Sequence, residues 1–231
     1  MRKISTLIFA CIVCLVGFSQ TSNLDSILAV RKFQKDSSLK AAIHADSMKI
    51  EKEYKEKERW DRIEARAQYP VLKAGEFSGI IPVSDITESP DPTLDYKLLF
   101  ELTDLNPDST AKEVNYGISE VARVINLHVA AGVPVKKITP VLVVHAGALK
   151  AFGTNEYYRS KFKTDNPNLK ALEELKKLGA KFIMCGQAMT FLNIQKEDLV
   201  PEAKVSLTAQ TVISSYQLKG YLLWWGGAGK H

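Results

Sequence analysis

The sequence predicts an α/β fold: a mostly parallel β-sheet with helices on both faces, preceded by a helical N-terminal extension. Between about Tyr96 and Trp225, short apolar runs typical of buried strands alternate with amphipathic runs typical of helices. The run Ile138–His145 is apolar almost throughout, as expected of a strand that is covered on both faces. Alternating strands and helices with short connections are typical of parallel strands joined by helical crossovers.

The first 19 residues have the organisation of a secretory signal peptide. Arg2 and Lys3 carry positive charge, residues 4–16 are apolar, and Gly17-Phe18-Ser19 gives a small-x-small cleavage pattern. The apolar run is too short for a typical transmembrane helix, and no other stretch predicts one. We therefore expect residues 1–19 to be removed and the protein to be exported to the periplasm or the extracellular space, without a transmembrane segment.

The rest of the chain divides by composition into three parts. Residues 20–68 are polar and charged, and their mixed charges at helical spacing predict a helical extension with a solvated surface. Residues 69–93 are interrupted by proline and glycine, which predicts a linker or a surface-attached loop. Residues 94–226 carry the strand–helix alternation and are expected to form the α/β domain.

Within that domain the apolar pattern predicts five strands and the helices between them. The first helix, Val114–Ala131, has an apolar stripe that continues to His128, and we interpret this histidine as structural. A later helix is expected to begin at Asn166-Pro167. The predicted strands are Tyr96–Thr103, Ile138–His145, Lys181–Cys185, Lys204–Leu207 and Tyr221–Trp225.

The segment Lys181–Leu192 holds the cysteine around which a site is predicted. The chain has three cysteines, and Cys11 and Cys14 lie in the predicted signal, so Cys185 has no internal disulfide partner in the mature protein. It ends a short apolar strand before Gly186, at the carboxyl edge where ligands of open α/β sheets bind. A following helix N-terminus favours the reactive thiolate. A buried, inert thiol is the alternative interpretation.

His145 occupies the corresponding position at the end of the strand Ile138–His145. It is followed by a turn that contains Gly147, and if the two strands are neighbours His145 can help to deprotonate Cys185. A histidine that only caps the strand end is the alternative. We expect Cys185 and His145 to be the functional pair, with Gly186, Gln187 and Gly147 lining the site.

Several other kinds of site have no support in the sequence. No dinucleotide or P-loop glycine motif follows a strand, and no Cys/His spacing suits a metal, so neither a cofactor nor a metal is predicted. Removal of Arg2 and Lys3 with the signal lowers the formal net charge from +5 to +3, which is ordinary, and no basic face with interleaved aromatic residues predicts nucleic-acid binding.

Three pieces of the α/β region resemble the DsrE/DsrF-like family of sulfur-handling proteins. They are KFIMCGQAM with Cys185 at the family's sulfur-accepting position, EDLVPEAKVSLTA, and YQLKGYLLW. The resemblance covers about Tyr96 to Trp225. It implies a small flavodoxin-like α/β fold that assembles as trimers or hexamers. For some members it also implies a cysteine that carries a persulfide between a sulfur donor protein and an acceptor protein.

Two functions follow as expectations. The first is a sulfur carrier of the cell envelope that holds sulfane sulfur as a persulfide on Cys185. The second is a non-catalytic oligomeric binding or assembly protein with the same fold, in which Cys185 is a packed residue. We expect a carrier or a binding protein in preference to a turnover enzyme. A disulfide-exchange enzyme is disfavoured because Cys185 is not part of a C-x-x-C, and the C-x-x-C of Cys11 and Cys14 lies in the predicted signal.

Overall fold

The computed structural model describes the backbone of residues 5–225 and the side chains of residues 24–224. Arg2 and Lys3 of the predicted signal, and the predicted domain end at residue 226, lie outside the described residues. The chain divides into two compact units, with the boundary between Arg62 and Ile63. The first unit is helical and the second is the α/β domain.

A single long helix, α1 (Ser5–Glu64), contains all described residues of the N-terminal unit and ends two residues beyond the boundary. The side chains of residues 24–62 are all exposed, including apolar ones such as Phe33 and Trp60. Acidic and basic residues four positions apart pair along its surface, as in Lys55–Glu51 at 2.6 Å. Such exposed pairs each stabilise a helix by only about 0.3–0.5 kcal/mol. No helix in the described part of the chain is both long enough and apolar enough to cross a membrane.

The α/β unit is built on one sheet in which every described strand pair is parallel, as the sequence predicted. The strand order is β4-β3-β2-β1-β5. Two registers fix the centre of the sheet: Leu102 lies opposite Val144, and Val144 lies opposite Met184. The strands are β1 (Tyr96–Leu102), β2 (Ile138–Val144), β3 (Lys181–Cys185), β4 (Lys204–Ser206) and β5 (Leu222–Trp225).

Helices cover both faces of this sheet. Three of them follow a residue whose side chain caps the helix start, namely Asn115, Thr154 and Thr208; the side chain of Asn115, for example, accepts hydrogen bonds from the first-turn amides of Gly117 and Ile118. The helices are α2 (Tyr116–Ala130), α3 (Asn155–Phe162), α4 (Leu169–Lys177), α5 (Gly186–Leu192) and α6 (Ala209–Leu218). A 3-10 helix over Ala146–Phe152 follows β2.

Alternation along the strands divides the core into two layers. On one face Phe100, Leu142 and Met184 pack with residues of α2 and α4. On the other face Leu99, Val143 and Cys185 pack with Ala209 of α6. Because side chains alternate in direction along a strand, Glu101 and His145 point to the same face as Leu99 and Val143. The layer under α6 therefore contains the predicted site residues.

The segment between the two predicted domains is attached to α2 over residues 71–80. Leu72, Ala74 and Ile80 are buried. The fully buried side chain of Asn126 on α2 accepts hydrogen bonds from the amides of Val71 and Leu72 and donates to carbonyl oxygens of Leu72 and Ser78. This one amide therefore satisfies backbone groups that would otherwise be buried without partners.

The boundaries near Asn166 differ from the sequence prediction. The helix expected at Asn166-Pro167 begins at Leu169. The buried Asn166 side chain donates to the carbonyl oxygens of Ala151 and Gly153, and its oxygen accepts from the amide of Asn168. These bonds hold residues 166–168 in a turn, so the helix starts only after them.

His128 is a structural residue, as its position on the apolar stripe predicted. Its Nδ1 lies 2.7 Å from the carbonyl oxygen of Val124, one helical turn earlier. Its ring packs edge-on against Tyr96, with the ring centres 5.2 Å apart, and also against Trp224. The ring therefore packs between α2 and the strands β1 and β5.

Candidate functional site

The candidate site lies at the carboxyl edge of the sheet, where β1, β2 and β3 end side by side. The register of β2 and β3 pairs Val144 with Met184, so His145 and Cys185 are the next residues along each strand. The backbone of His145 is still extended, with φ −148° and ψ −179°. Alternation therefore continues through both residues and directs both side chains to the α6 face of the sheet.

Cys185 ends β3 and occupies the position immediately before α5. Its side chain is 4% exposed and packs with Leu99, Ile183 and Ala209. The thiol makes no capping hydrogen bond to α5. Cys185 is therefore a free, buried thiol at the carboxyl edge of the sheet.

His145 forms a close pair with Glu101 of β1. Its Nε2 lies 2.8 Å from Oε1 of Glu101, and the two side chains are 22% and 15% exposed, respectively. The amide of His145 donates to the carbonyl oxygen of Leu102, which ties the turn after β2 to the end of β1. The imidazole is therefore held from the β1 side and is largely shielded from solvent.

An open cleft of about 400 Å³ connects these residues to solvent. His145, Cys185 and Gln187 all line it, so the structure brings three of the predicted site residues together. The other lining residues are Ala146, Ala188, Phe191, Leu192, Thr208 and Gln210.

Gly186 and Gly147 lie beside this cleft and have packing roles. Gly186 lines a neighbouring cleft with Met189 and Val205. A Cβ atom at Gly186 would lie 2.7 Å from the carbonyl oxygen of Ser206, so the residue must be glycine for β4 and α5 to approach this closely. A Cβ at Gly147 would lie 3.2 Å from the Cβ of Leu105, in the loop after β1.

Sequence reasoning missed Glu101. The residue is the one acidic side chain in the run YKLLFEL of β1. A charged residue inside a strand whose neighbours are buried is unusual, because an ionised carboxylate is rarely buried without a partner. That local contrast is the signal that could have singled out Glu101, although nothing in the sequence names its partner.

Ala146 is a second residue that the sequence did not indicate. It follows His145 and has a positive φ of 51°, a left-handed conformation that is uncommon for alanine. This conformation turns the chain from β2 into the 3-10 helix and leaves Ala146 at the mouth of the cleft. The tight turn lets His145 keep its extended backbone up to the edge of the sheet.

The chain is similar to a known protein family and to a solved structure. No curated protein matches the chain. A solved structure of a protein of unknown function from Methanobacterium thermoautotrophicum is similar, with 16% sequence identity and a TM-score of 0.43, covering 57% of this chain and 99% of that one. The sequence profile of the DsrE/DsrF-like family matches residues 97–225, which include the Cys185 cleft and all of the five strands except Tyr96, the first residue of β1. The chain therefore belongs to the DsrE/DsrF-like family.

Proposed function

We propose that this protein carries sulfane sulfur as a persulfide on Cys185, with His145 as the residue that handles the proton. The observation that carries the proposal is the arrangement of a free thiol and a histidine at adjacent strand ends, both lining one cleft. Thiolate is the nucleophilic form of cysteine, and a neighbouring base is the usual means of producing it. Membership of a family associated with sulfur relay supports the same chemistry.

The proposed uptake step exchanges one sulfur–sulfur bond for another. His145 takes the proton of the Cys185 thiol, and the thiolate Sγ attacks the outer sulfur of a donor persulfide, R–S–SH. A bond forms between Sγ and that sulfur while the donor S–S bond breaks, so the donor leaves as a thiolate and takes the proton back from His145. Delivery to an acceptor thiolate is the same exchange in reverse, and neither step needs an oxidant.

The test is the intact mass of the protein after incubation with a low-molecular-weight persulfide. We expect the folded protein to gain one sulfur atom that a thiol reductant removes. Digestion after Lys181 and Lys196 gives a peptide in which Cys185 is the sole cysteine, so the added sulfur can be located. A folded protein that gains no sulfur under conditions that load a free thiol peptide contradicts the proposal.

A non-catalytic binding or assembly protein is the second candidate, and the burial of the thiol favours it. At 4% exposure Cys185 is as buried as many core residues. In this alternative Cys185 reacts with a neutral alkylating reagent only after denaturation. In the carrier it reacts in the folded state through the cleft, so alkylation before and after unfolding separates the two functions.

We also propose that the protein works outside the cytoplasm, because residues 1–19 have the order of charge, apolar run and small residues found in signal peptides. We expect the mature chain to begin near Gln20. N-terminal sequencing of protein recovered from the cell envelope or the medium measures this start. Retention of Met1 in protein from the cytoplasm, or a lipid on Cys11, would contradict it.

We propose further that the α/β domain self-associates as a trimer or a hexamer. Large apolar side chains of this domain are exposed, with Phe191 at 84%, Leu207 at 72% and Leu218 at 91%. Exposed apolar side chains of this size favour contact with another surface. Sedimentation of the mature protein at micromolar concentrations should show a species of three or six chains, and a monomer at all concentrations would refute the proposal.

A further inference from the structure

We propose that Glu101 is a positioning residue that fixes the orientation and the tautomer of His145 for the sulfur-transfer step. This inference rests on the proposed function of Cys185. Its physical basis is the 2.8 Å contact between Oε1 of Glu101 and Nε2 of His145, made between two side chains that are both mostly shielded from solvent.

The contact determines which ring nitrogen carries the hydrogen. An ionised carboxylate has no hydrogen to donate, so the short contact requires Nε2 of His145 to be the donor. In the neutral imidazole the hydrogen is then on Nε2, and Nδ1 is the nitrogen with a free lone pair. Glu101 therefore leaves Nδ1 as the atom that accepts the thiol proton.

The carboxylate also favours the charge that this transfer produces. When the proton of Cys185 moves to Nδ1, the imidazole becomes positively charged beside the negative charge of Glu101. Because both side chains are largely buried, water screens their attraction less than it would at the surface. The same carboxylate role, orienting a histidine and stabilising its charged form, operates in serine hydrolases.

The placement of Glu101 follows from the topology of the sheet. β1 and β3 flank β2, so the Glu101, His145 and Cys185 side chains lie in strand order on one face of three adjacent strands. Glu101 lies opposite Val143, two residues before His145, which lets the carboxylate contact the ring from the side away from β3. Glu101 contacts His145 and does not itself line the cleft, so it acts through His145.

Two substitutions at Glu101 separate its charge from its hydrogen bond. Glu101→Gln keeps an oxygen that can accept from Nε2 but removes the charge, whereas Glu101→Leu removes both. We expect the rate of sulfur uptake to fall about 10-fold in Glu101→Gln and about 100-fold in Glu101→Leu, by analogy with the range seen when the hydrogen-bond partner of a metal-binding histidine is lost. Nitrogen-15 NMR of His145, recorded at a pH where the imidazole is neutral, should show hydrogen on Nε2 in the wild type and a mixture of tautomers in Glu101→Leu.

Glu58→Gln on the exposed surface of α1 is the matched control, and it should leave the uptake rate and the His145 spectrum unchanged. Thermal unfolding of each variant shows whether it is folded. If Glu101→Leu does not fold, Glu101→Gln still tests the role of the charge. Wild-type uptake rates in both Glu101 variants, or an unchanged tautomer in folded Glu101→Leu, would overturn the role of Glu101 but leave the proposed function of Cys185 standing. A wild type that takes up no sulfur overturns the proposed function and the role of Glu101 with it.

Discussion

Replacement of Cys185 by serine is expected to abolish the gain of sulfur by the folded protein. A hydroxyl cannot form the sulfur–sulfur bond, and Cys185 is the one cysteine among residues 24–224, whose side chains the structure describes. The substitution is close in size, so the packing against Leu99 and Ala209 should be largely kept. The measurement is the intact mass of wild-type and variant protein after the same exposure to a persulfide, with the free energy of unfolding of both determined in parallel.

The matched control concerns the two remaining cysteines of the sequence. The double variant Cys11→Ser/Cys14→Ser should gain sulfur to the same extent as the wild type, because both residues lie in the predicted signal peptide. Sulfur on a folded Cys185→Ser protein would show that another group accepts it. Loss of sulfur uptake in the double variant would place the chemistry at the N-terminus instead of at the cleft.

Gly186→Ala should both destabilise the protein and disturb the site. The added Cβ would lie 2.7 Å from the carbonyl oxygen of Ser206, and this oxygen belongs to the backbone of β4, so it cannot rotate away. Either α5 or β4 must shift. Such a shift would strain the pairing of Cys185 with Ser206 and the hydrogen bond from the amide of Gln187 to the carbonyl oxygen of Leu207. Overpacking of this kind costs about 1–3 kcal/mol, measured as a decrease in the free energy of unfolding in denaturant.

Uptake of sulfur should fall in the same variant, because Cys185 immediately precedes the displaced residue. Gln187→Ala is the control for stability: it also changes the first turn of α5 but adds no atom near Ser206. It should change the free energy of unfolding by less than about 0.5 kcal/mol, as surface substitutions usually do. A Gly186→Ala protein with wild-type stability and uptake would mean that the contact between α5 and β4 is not tight in solution.

The sequence by itself determined the class of fold and the position of the thiol. The apolar run Lys181–Cys185 is a strand with the bounds that the pattern predicts, and the strands of the domain are parallel. The sequence predicts these features because they depend on local patterns. A short run of apolar side chains is buried on both faces of a sheet, and Gly186 permits the chain to turn at the end of the strand. The placement of Cys185 at a carboxyl edge follows from the same local pattern.

Boundaries that depend on distant side chains were predicted less well. Asn166 delays the start of α4 through bonds to the carbonyl oxygens of Ala151 and Gly153. The local sequence Asn166-Pro167 suits a helix start, but it contains no information about those acceptors. Of the helical extension expected over residues 20–68, residues 20–64 belong to the single helix α1, because their many charges and few glycines permit continuous propagation, and residues 65–68 lie beyond its end.

The tertiary structure decided which residues surround the thiol. Glu101 and His145 are 44 positions apart, and they meet because β1 and β2 are neighbours in a register that places Leu102 opposite Val144. His145 is next to Cys185 for the same reason, since β2 also pairs with β3. Strand order and register arise from pairing between distant parts of the chain, and a shift of one residue would turn each side chain to the other face of the sheet. No local pattern determines that pairing, so the Glu101–His145–Cys185 arrangement becomes visible only when the sheet is assembled.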